Sequence, residues 1–422
     1  MIPAAARHPL ARATLRTSAA LGVRLIVQAG SLWLVARLLG PARFGAFAGI
    51  SALALTLGTL ATCGTHIVLM METSRDPAQA QDVLRHALPT TLLSGVALLA
   101  AYMATTLLLH GFVDLPLLVP LLIGTTEFAL QPLLSFMSAQ LQATGRVATS
   151  QLLVSTPLGI RLLVAGGLTL AGPAHPLLLF AWGYGLATLA SLLIGRRILP
   201  GRWPRPSQWR LPTRAQWTHA LGYAALNLSA TAPGELDKTI ALRLLGAGAG
   251  GIYAVGARIY GALNLPIGAM MIASIPRLVR ETSDERRRAA SRRLLLVAVA
   301  YGIPLGAILW LAAPLFTWVF GARFQGLDET IHWLALAVPA AALRITTGGI
   351  FMAERHPWRR VSIEVVGILV LAGSAVALAS RSHPAAMPLA TAVSEWSMAV
   401  LGCLAITLPR MQHPQDSGAR QG

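Results

Sequence analysis

Lysine is almost missing from this chain. Of its 34 basic residues, Lys238 alone is lysine and the rest are arginine. A phosphate-cradling loop of the GxxxxGK[ST] type needs a lysine in a glycine-rich turn, and no such string surrounds Lys238. The sequence therefore offers no P-loop ATPase site. Cysteine is nearly as scarce. Cys63 and Cys403 lie in separate apolar stretches and form no CxxC pair, which argues against a disulfide framework or a cysteine metal site. The ten histidines show neither HExxH nor clustered ligand spacing, so no metal and no cofactor is expected. Charge is low as well. Charged residues make up 12% of the chain and hydrophobic ones 55%, against roughly 25% charged in soluble domains. A soluble core could not hide that much apolar surface.

The formal net charge of +18 raises the question of nucleic acid. The arginines form no basic domain, however. They fall between long apolar segments, as in membrane proteins, and nucleic acid is not an expected partner.

What the chain has in abundance is apolar segments. Twelve lie near 17–39, 44–71, 86–109, 115–139, 147–171, 175–195, 217–245, 251–275, 294–320, 330–352, 361–380 and 386–408, and each is long enough to cross a bilayer as a helix. The first is too long for a signal-peptide core and reads as a spanning helix. An even number of spans puts both termini on one side. With the termini inside, the inner segments hold 24 basic residues and the outer loops four, namely Arg37, Arg43, Arg323 and Arg381. That bias predicts cytoplasmic termini. The longest interruption, 196–216, is rich in Arg, Pro and Trp and sits at the midpoint. The expected organisation is a six-helix lobe over 1–199, a basic cytoplasmic linker over 200–216, a second six-helix lobe over 217–410, and a short disordered tail over 411–422.

One phrase occurs twice. Residues 37–48 read RLLGPARFGAFA, and residues 243–254 read RLLGAGAGGIYA. The Arg-Leu-Leu-Gly, a second Gly, the aromatic and the next Ala recur at equal spacing. In each half the phrase closes one apolar segment and opens the next. Two membrane halves on one plan are a common transporter architecture, with the substrate path between them. The GxxxG spacings at Gly45–Gly49, Gly246–Gly250 and Gly302–Gly306 are expected to serve helix packing.

Ionisable groups inside the spans are costly and point to function. Arg24 lies in span one, Arg161 in span five, Arg258 in span eight and Arg344 in span ten. Span seven carries Glu235, Asp237 and Lys238 together, beside the helix-weakening Pro233-Gly234. Glu127, Glu364 and Glu395 lie in spans four, eleven and twelve. One reading is a cationic cavity that attracts an anionic headgroup such as a diphosphate, since guanidinium stays protonated and donates paired hydrogen bonds. On that reading Arg24, Arg258, Arg344 and Lys238 bind substrate, and Asp237 or Glu235 couples a cation or proton. The other reading is internal ion pairing, or arginines reaching the interface.

These residues resemble the polysaccharide-export branch of the multidrug/oligosaccharidyl-lipid/polysaccharide (MOP) flippase superfamily. The likeness rests on Arg24, on ARLLGPARFGAFAGISALALTLGTLATCG through METSRDP, and on LDKTIALRLLGAGAGGIYAVGARIYGALNLPIGAMMIASIPRL. It covers about a quarter of the chain by motif. It implies an all-α integral membrane protein of about twelve transmembrane helices, in two lobes around a cavity, like the multidrug (MATE) exporters. It further implies a flippase for an undecaprenyl-diphosphate-linked oligosaccharide, working by alternating access in the bacterial inner membrane. The product would be capsule, lipopolysaccharide O-antigen or exopolysaccharide. Membrane lipids, a polysaccharide polymerase and export machinery are the partners it implies. The chain departs from the longer members in lacking room for two further C-terminal helices that hold a lipid tail. Two other classes stand beside it. A cation-coupled drug exporter fits less well, because intramembrane arginine exceeds unpaired carboxylate. A membrane polymerase or ligase would be expected to carry a sizeable external loop, which is absent.

Overall fold

A computed structural model describes residues 9–109, 115–199, 201, 203–281, 283–354, 356–381, 383 and 385–407. The proposed tail at 411–422 lies outside them. Among the described residues the chain is a bundle of fourteen α-helices without strands. The first group is α1 (Pro9–Ala61), α2 (Thr65–Arg75), α3 (Gln79–Leu109), α4 (Leu118–Thr125), α5 (Gln131–Ala143), α6 (Val147–Ala171) and α7 (Pro176–Ile198). The second is α8 (Arg214–Leu263), α9 (Leu265–Arg280), α10 (Asp284–Phe320), α11 (Leu327–Ala335), α12 (Val338–Ala353), α13 (Pro357–Ala379) and α14 (Ala386–Thr407). In lipid every backbone N–H and C=O must find a partner within the protein, and a helix satisfies all of them inside one segment, so apolar runs of this length fold as helices.

The described residues hold nine helices long and apolar enough to cross a membrane, or ten when the bent pair α11–α12 is one span. Two of these are each too long for one crossing. The stretches Gly22–Ala61 and Arg214–Ile272 run for 40 and 59 residues. At 1.5 Å per residue they measure about 60 and 90 Å, against a hydrocarbon core of ~30 Å. Each is broken by a glycine. Gly40 (φ 72°, ψ 169°) interrupts α1, and Gly246 (φ 74°, ψ 177°) interrupts α8. That backbone region is essentially closed to residues with a β-carbon. The repeated Arg-Leu-Leu-Gly thus ends a helix twice by the same means. Split there, the helices agree with about twelve spans in two lobes.

Several spans read as single helices from sequence are broken. The segment 115–139 is α4 and α5 joined by a π-helical turn at Thr126–Leu130. Pro132 has no N–H to donate to the carbonyl of Phe128 four residues back, and a wide turn accommodates that gap. Gly95 of α3 packs on the Phe128 carbonyl, where a side chain would collide. The segment 330–352 is α11 and α12, bent by 47°. The segment 251–275 breaks at Asn264, just before Pro266.

The loops are shorter than the sequence suggested, because helices extend beyond the apolar windows. The basic run 276–293 is almost all helix, with α9 ending at Arg280 and α10 starting at Asp284. The linker packs against the first lobe. Arg210 forms an ion pair with Asp82 at 2.8 Å, and its backbone N–H donates to the Arg85 carbonyl at 3.0 Å. Trp203 Nε1 donates to Gln140 Oε1 at 2.9 Å. Trp203 and Trp209 both pack on apolar residues of that lobe, so these rings are used in intramolecular packing.

The lobes meet along α1 and α8. Thr239 Oγ1 donates to the Gly49 carbonyl at 2.8 Å, and Trp33 Nε1 donates to the Val319 carbonyl at 3.0 Å. Near the glycine breaks the two backbones touch. A β-carbon on Gly251 would collide with the Pro41 carbonyl, and one on Gly45 with the Ala247 carbonyl. Pro41 and Ala247, like Gly45 and Gly251, occupy the same positions in the repeated phrase.

Candidate functional site

A partly open cavity of about 270 Å³ lies mainly in the first lobe. Its polar lining comes from Arg24, Gln28, Ser31, Ser51, Glu127, Gln131, Arg161 and Arg258, and Phe44, Phe47, Phe180 and Tyr184 supply aromatic walls. Arg24 and Gln28 stand one helical turn apart on α1, which puts them on one face. The π-turn swings Glu127 inward. Arg258 reaches the cavity from α8 of the second lobe. Three guanidinium groups and one carboxylate therefore face one space.

Each of these charges is held differently. Arg161 lies over the Tyr184 ring, 3.2 Å from its centre, and Nη2 donates to Thr188 Oγ1 at 2.9 Å. Its Nε is buried without a partner among the described residues. The Tyr184 hydroxyl donates to Glu127 Oε1 at 2.6 Å. The phenol ring thus stands between the guanidinium and the carboxylate, and a stacked guanidinium keeps its in-plane donors available. Phe47 packs edge-on against Phe180 and Tyr184, at 5.4 and 6.0 Å between centres. That fixes the ring on which Arg161 rests. Arg258 makes a two-pronged contact with Glu235, at 3.3 and 3.2 Å. Arg24 makes no ion pair among the described residues.

The remaining expected site residues lie elsewhere. Lys238 is buried and pairs with Asp237 at 3.0 Å and Glu235 at 3.6 Å. Its Nζ also donates to the Gly234 carbonyl. Asp237 accepts from the Tyr253 hydroxyl at 2.8 Å, and that hydroxyl also contacts Thr391 Oγ1 at 2.7 Å. Arg344 forms a two-pronged pair with Glu395, at 2.6 and 3.2 Å, inside the second lobe. Lys238, Asp237, Glu235 and Arg344 do not line the first-lobe cavity. Among the described residues no group of three His, Cys, Asp or Glu side chains could hold a metal ion.

Residues 10–282 match the sequence profile of the polysaccharide biosynthesis protein family. The chain belongs to that family. No sequence in a search of curated proteins is significantly similar to it. Solved structures with a similar fold include transporters. An inward-facing multidrug-resistance MATE transporter of the MOP superfamily is 15% identical, covers 90% of this chain and 93% of its own, and gives a TM-score of 0.76. The lipid II flippase MurJ, in an inward closed conformation, is 13% identical over 93% of this chain and 87% of its own, with a TM-score of 0.72. A MOP transporter from Pyrococcus furiosus is 16% identical over 93% of this chain and 94% of its own, with a TM-score of 0.66. This member of the polysaccharide biosynthesis family is a multi-pass membrane protein with the MOP fold.

Of the cavity's charged residues, Arg24 and Arg258 are among the substrate-binding candidates named from sequence. Arg161 and Glu127 were visible as intramembrane charges, but nothing in the sequence tied them together. Tyr184 carried no signal at all, because a tyrosine in an apolar helix is ordinary.

Proposed function

We propose that this chain is a flippase. It translocates an undecaprenyl-diphosphate-linked oligosaccharide across the bacterial inner membrane for surface polysaccharide synthesis, with both termini cytoplasmic. It is a transporter and not an enzyme. The observation that carries this reading is the cavity lined by Arg24, Arg161 and Arg258, in a chain of the polysaccharide biosynthesis family. Arginines from both lobes converge there, and guanidinium suits phosphate oxygens. At about 270 Å³ the cavity falls below the ~300–1,000 Å³ of drug-sized sites. It has room for a diphosphate-sized group, and it is open on one side, where sugar and lipid could extend. Arg258 exchanges Glu235 for the incoming anion, and Glu235 remains paired with Lys238.

The test is deletion of the gene with mass spectrometry of lipid-linked intermediates. The expected result is an accumulated undecaprenyl-diphosphate oligosaccharide on the cytoplasmic side and lost surface polymer. Restoration by the wild-type gene and not by R24A or R258A, at equal protein level, would assign the arginines. Unchanged intermediates and intact polymer would overturn the reading.

A second reading is a cation-coupled exporter of the MATE kind. Glu127 favours it, as a carboxylate inside the cavity. Drug sensitivity on deletion, with intact surface polymer, would select it.

A further inference from the structure

A second cleft lies on the seam between the lobes, on the face of the two glycine breaks. Its volume is about 600 Å³. The first lobe contributes Trp33, Leu34, Arg37 and Thr169, and the second contributes Phe320 to Phe324 with Arg323 among them. No acidic residue lines it among the described residues. The sequence reading leaves only four basic residues on this face, and two of them meet here.

Both lobes build the cleft firmly. Trp33 is hydrogen-bonded to the Val319 carbonyl across the seam. Arg37 lies over the Trp33 ring, 5.2 Å from its centre. A cation–π contact consumes none of the guanidinium N–H groups as hydrogen-bond donors. Opposite, Gly321 (φ 89°) turns the chain out of α10 into a short 3-10 turn at Ala322–Phe324. Phe324 is buried edge-on against Phe320 at 5.6 Å, which anchors the turn that carries Arg323. Arg37 and Arg323 are both exposed in one cleft without a carboxylate, an arrangement that favours an anion between them. The apolar floor of Leu34 and Phe320 is unsuited to a free ion and suited to an acyl chain.

We propose that this cleft binds the phosphate of a membrane lipid between Arg37 and Arg323. One arginine comes from each lobe, so the lipid binds better when this face is closed and shifts the lobes toward that state. The site is distinct from the first-lobe cavity and does not depend on what the protein transports.

Native mass spectrometry of the full-length protein tests this, with phosphatidylglycerol, undecaprenyl diphosphate and inorganic phosphate as separate probes. Wild type is expected to retain phosphatidylglycerol about tenfold more tightly than R37Q/R323Q. R43Q, on the same face and outside the cleft, should behave as wild type. R37K/R323K keeps the charges and should keep most of the retention. Undecaprenyl diphosphate is compared in the R24A/R258A background, so that the first-lobe cavity does not mask the cleft. Equal retention of phosphatidylglycerol by wild type and R37Q/R323Q, or an equal loss in R43Q, would overturn the proposal. So would its displacement by equimolar inorganic phosphate.

Discussion

Gly45 and Gly251 face one another backbone to backbone across the seam between the lobes. A β-carbon on Gly45 would lie 2.5 Å from the Gly251 nitrogen, and one on Gly251 would lie 3.0 Å from the Gly45 nitrogen. The contact is reciprocal, as in a two-fold interface, where one surface meets its own copy. Residues without side chains are needed on both sides. Gly45→Val is therefore expected to hold this face open, at about 1–3 kcal/mol by the usual scale of overpacking. Gly251→Val should do the same, and Gly222→Ala, in open space, should not. Disulfide trapping between cysteines placed across the seam would read the difference. Unchanged trapping in Gly45→Val would mean that the seam does not set the closed state.

Arg344 and Glu395 behave as a structural pair on this geometry. Both are largely buried, with 15% and 7% of the side chain exposed. Glu395→Ala should cost about 3–5 kcal/mol, since it strands a buried guanidinium. Arg344→Met with Glu395→Leu should recover most of that loss, measured as thermal unfolding of the purified protein. Full stability of the double variant with lost transport would return Arg344 to the substrate path.

Asp237 is tied on both sides, to Lys238 and to Tyr253. Tyr253→Phe removes one donor and should cost about 1–3 kcal/mol. Asp237→Asn should cost more, because it also neutralises the carboxylate nearest buried Lys238. Unfolding midpoints check the order. An Asp237→Asn protein that is fully stable yet inactive in export would instead support a coupling role for this carboxylate.

On the proposed function, Glu127 opposes the anion that the first-lobe cavity would bind. Glu127→Gln keeps an oxygen for the Tyr184 hydroxyl, so the fold should hold. Binding of a soluble diphosphate should tighten by about tenfold or less. Arg161→Ala should weaken it. Thermophoresis of the purified variants measures both, and identical affinities would remove these two residues from the anion site.

The sequence showed the crossings, the two lobes and the shared phrase, because those follow from apolar length, charge placement and periodicity. The breaks inside spans were less legible. Pro132 and Pro266 stand in the sequence, but whether a proline kinks, widens or ends a helix depends on what packs beside it, such as Gly95 under the Phe128 carbonyl. Pairing was least legible. Arg258 with Glu235, Arg344 with Glu395 and Arg161 with Tyr184 join residues on different helices, and spacing along the chain says nothing about which helices touch. The sequence left ion pairing and substrate contact as alternatives for Arg344 and Lys238. The structure places both in buried ion pairs and lines its first-lobe cavity with Arg161 in their company's stead.

The connection between the lobes has a mechanical consequence. From sequence, 196–216 reads as a basic cytoplasmic linker between the lobes. In the folded protein Arg210 is fastened to α3 through Asp82 and the Arg85 carbonyl, and α8 starts at Arg214. Only residues 211–213 remain as leash. Three extended residues reach on the order of 10 Å. While the Arg210 fastening holds, the two lobes can tilt at this end but cannot travel apart, and any opening wider than that leash must first unclip it.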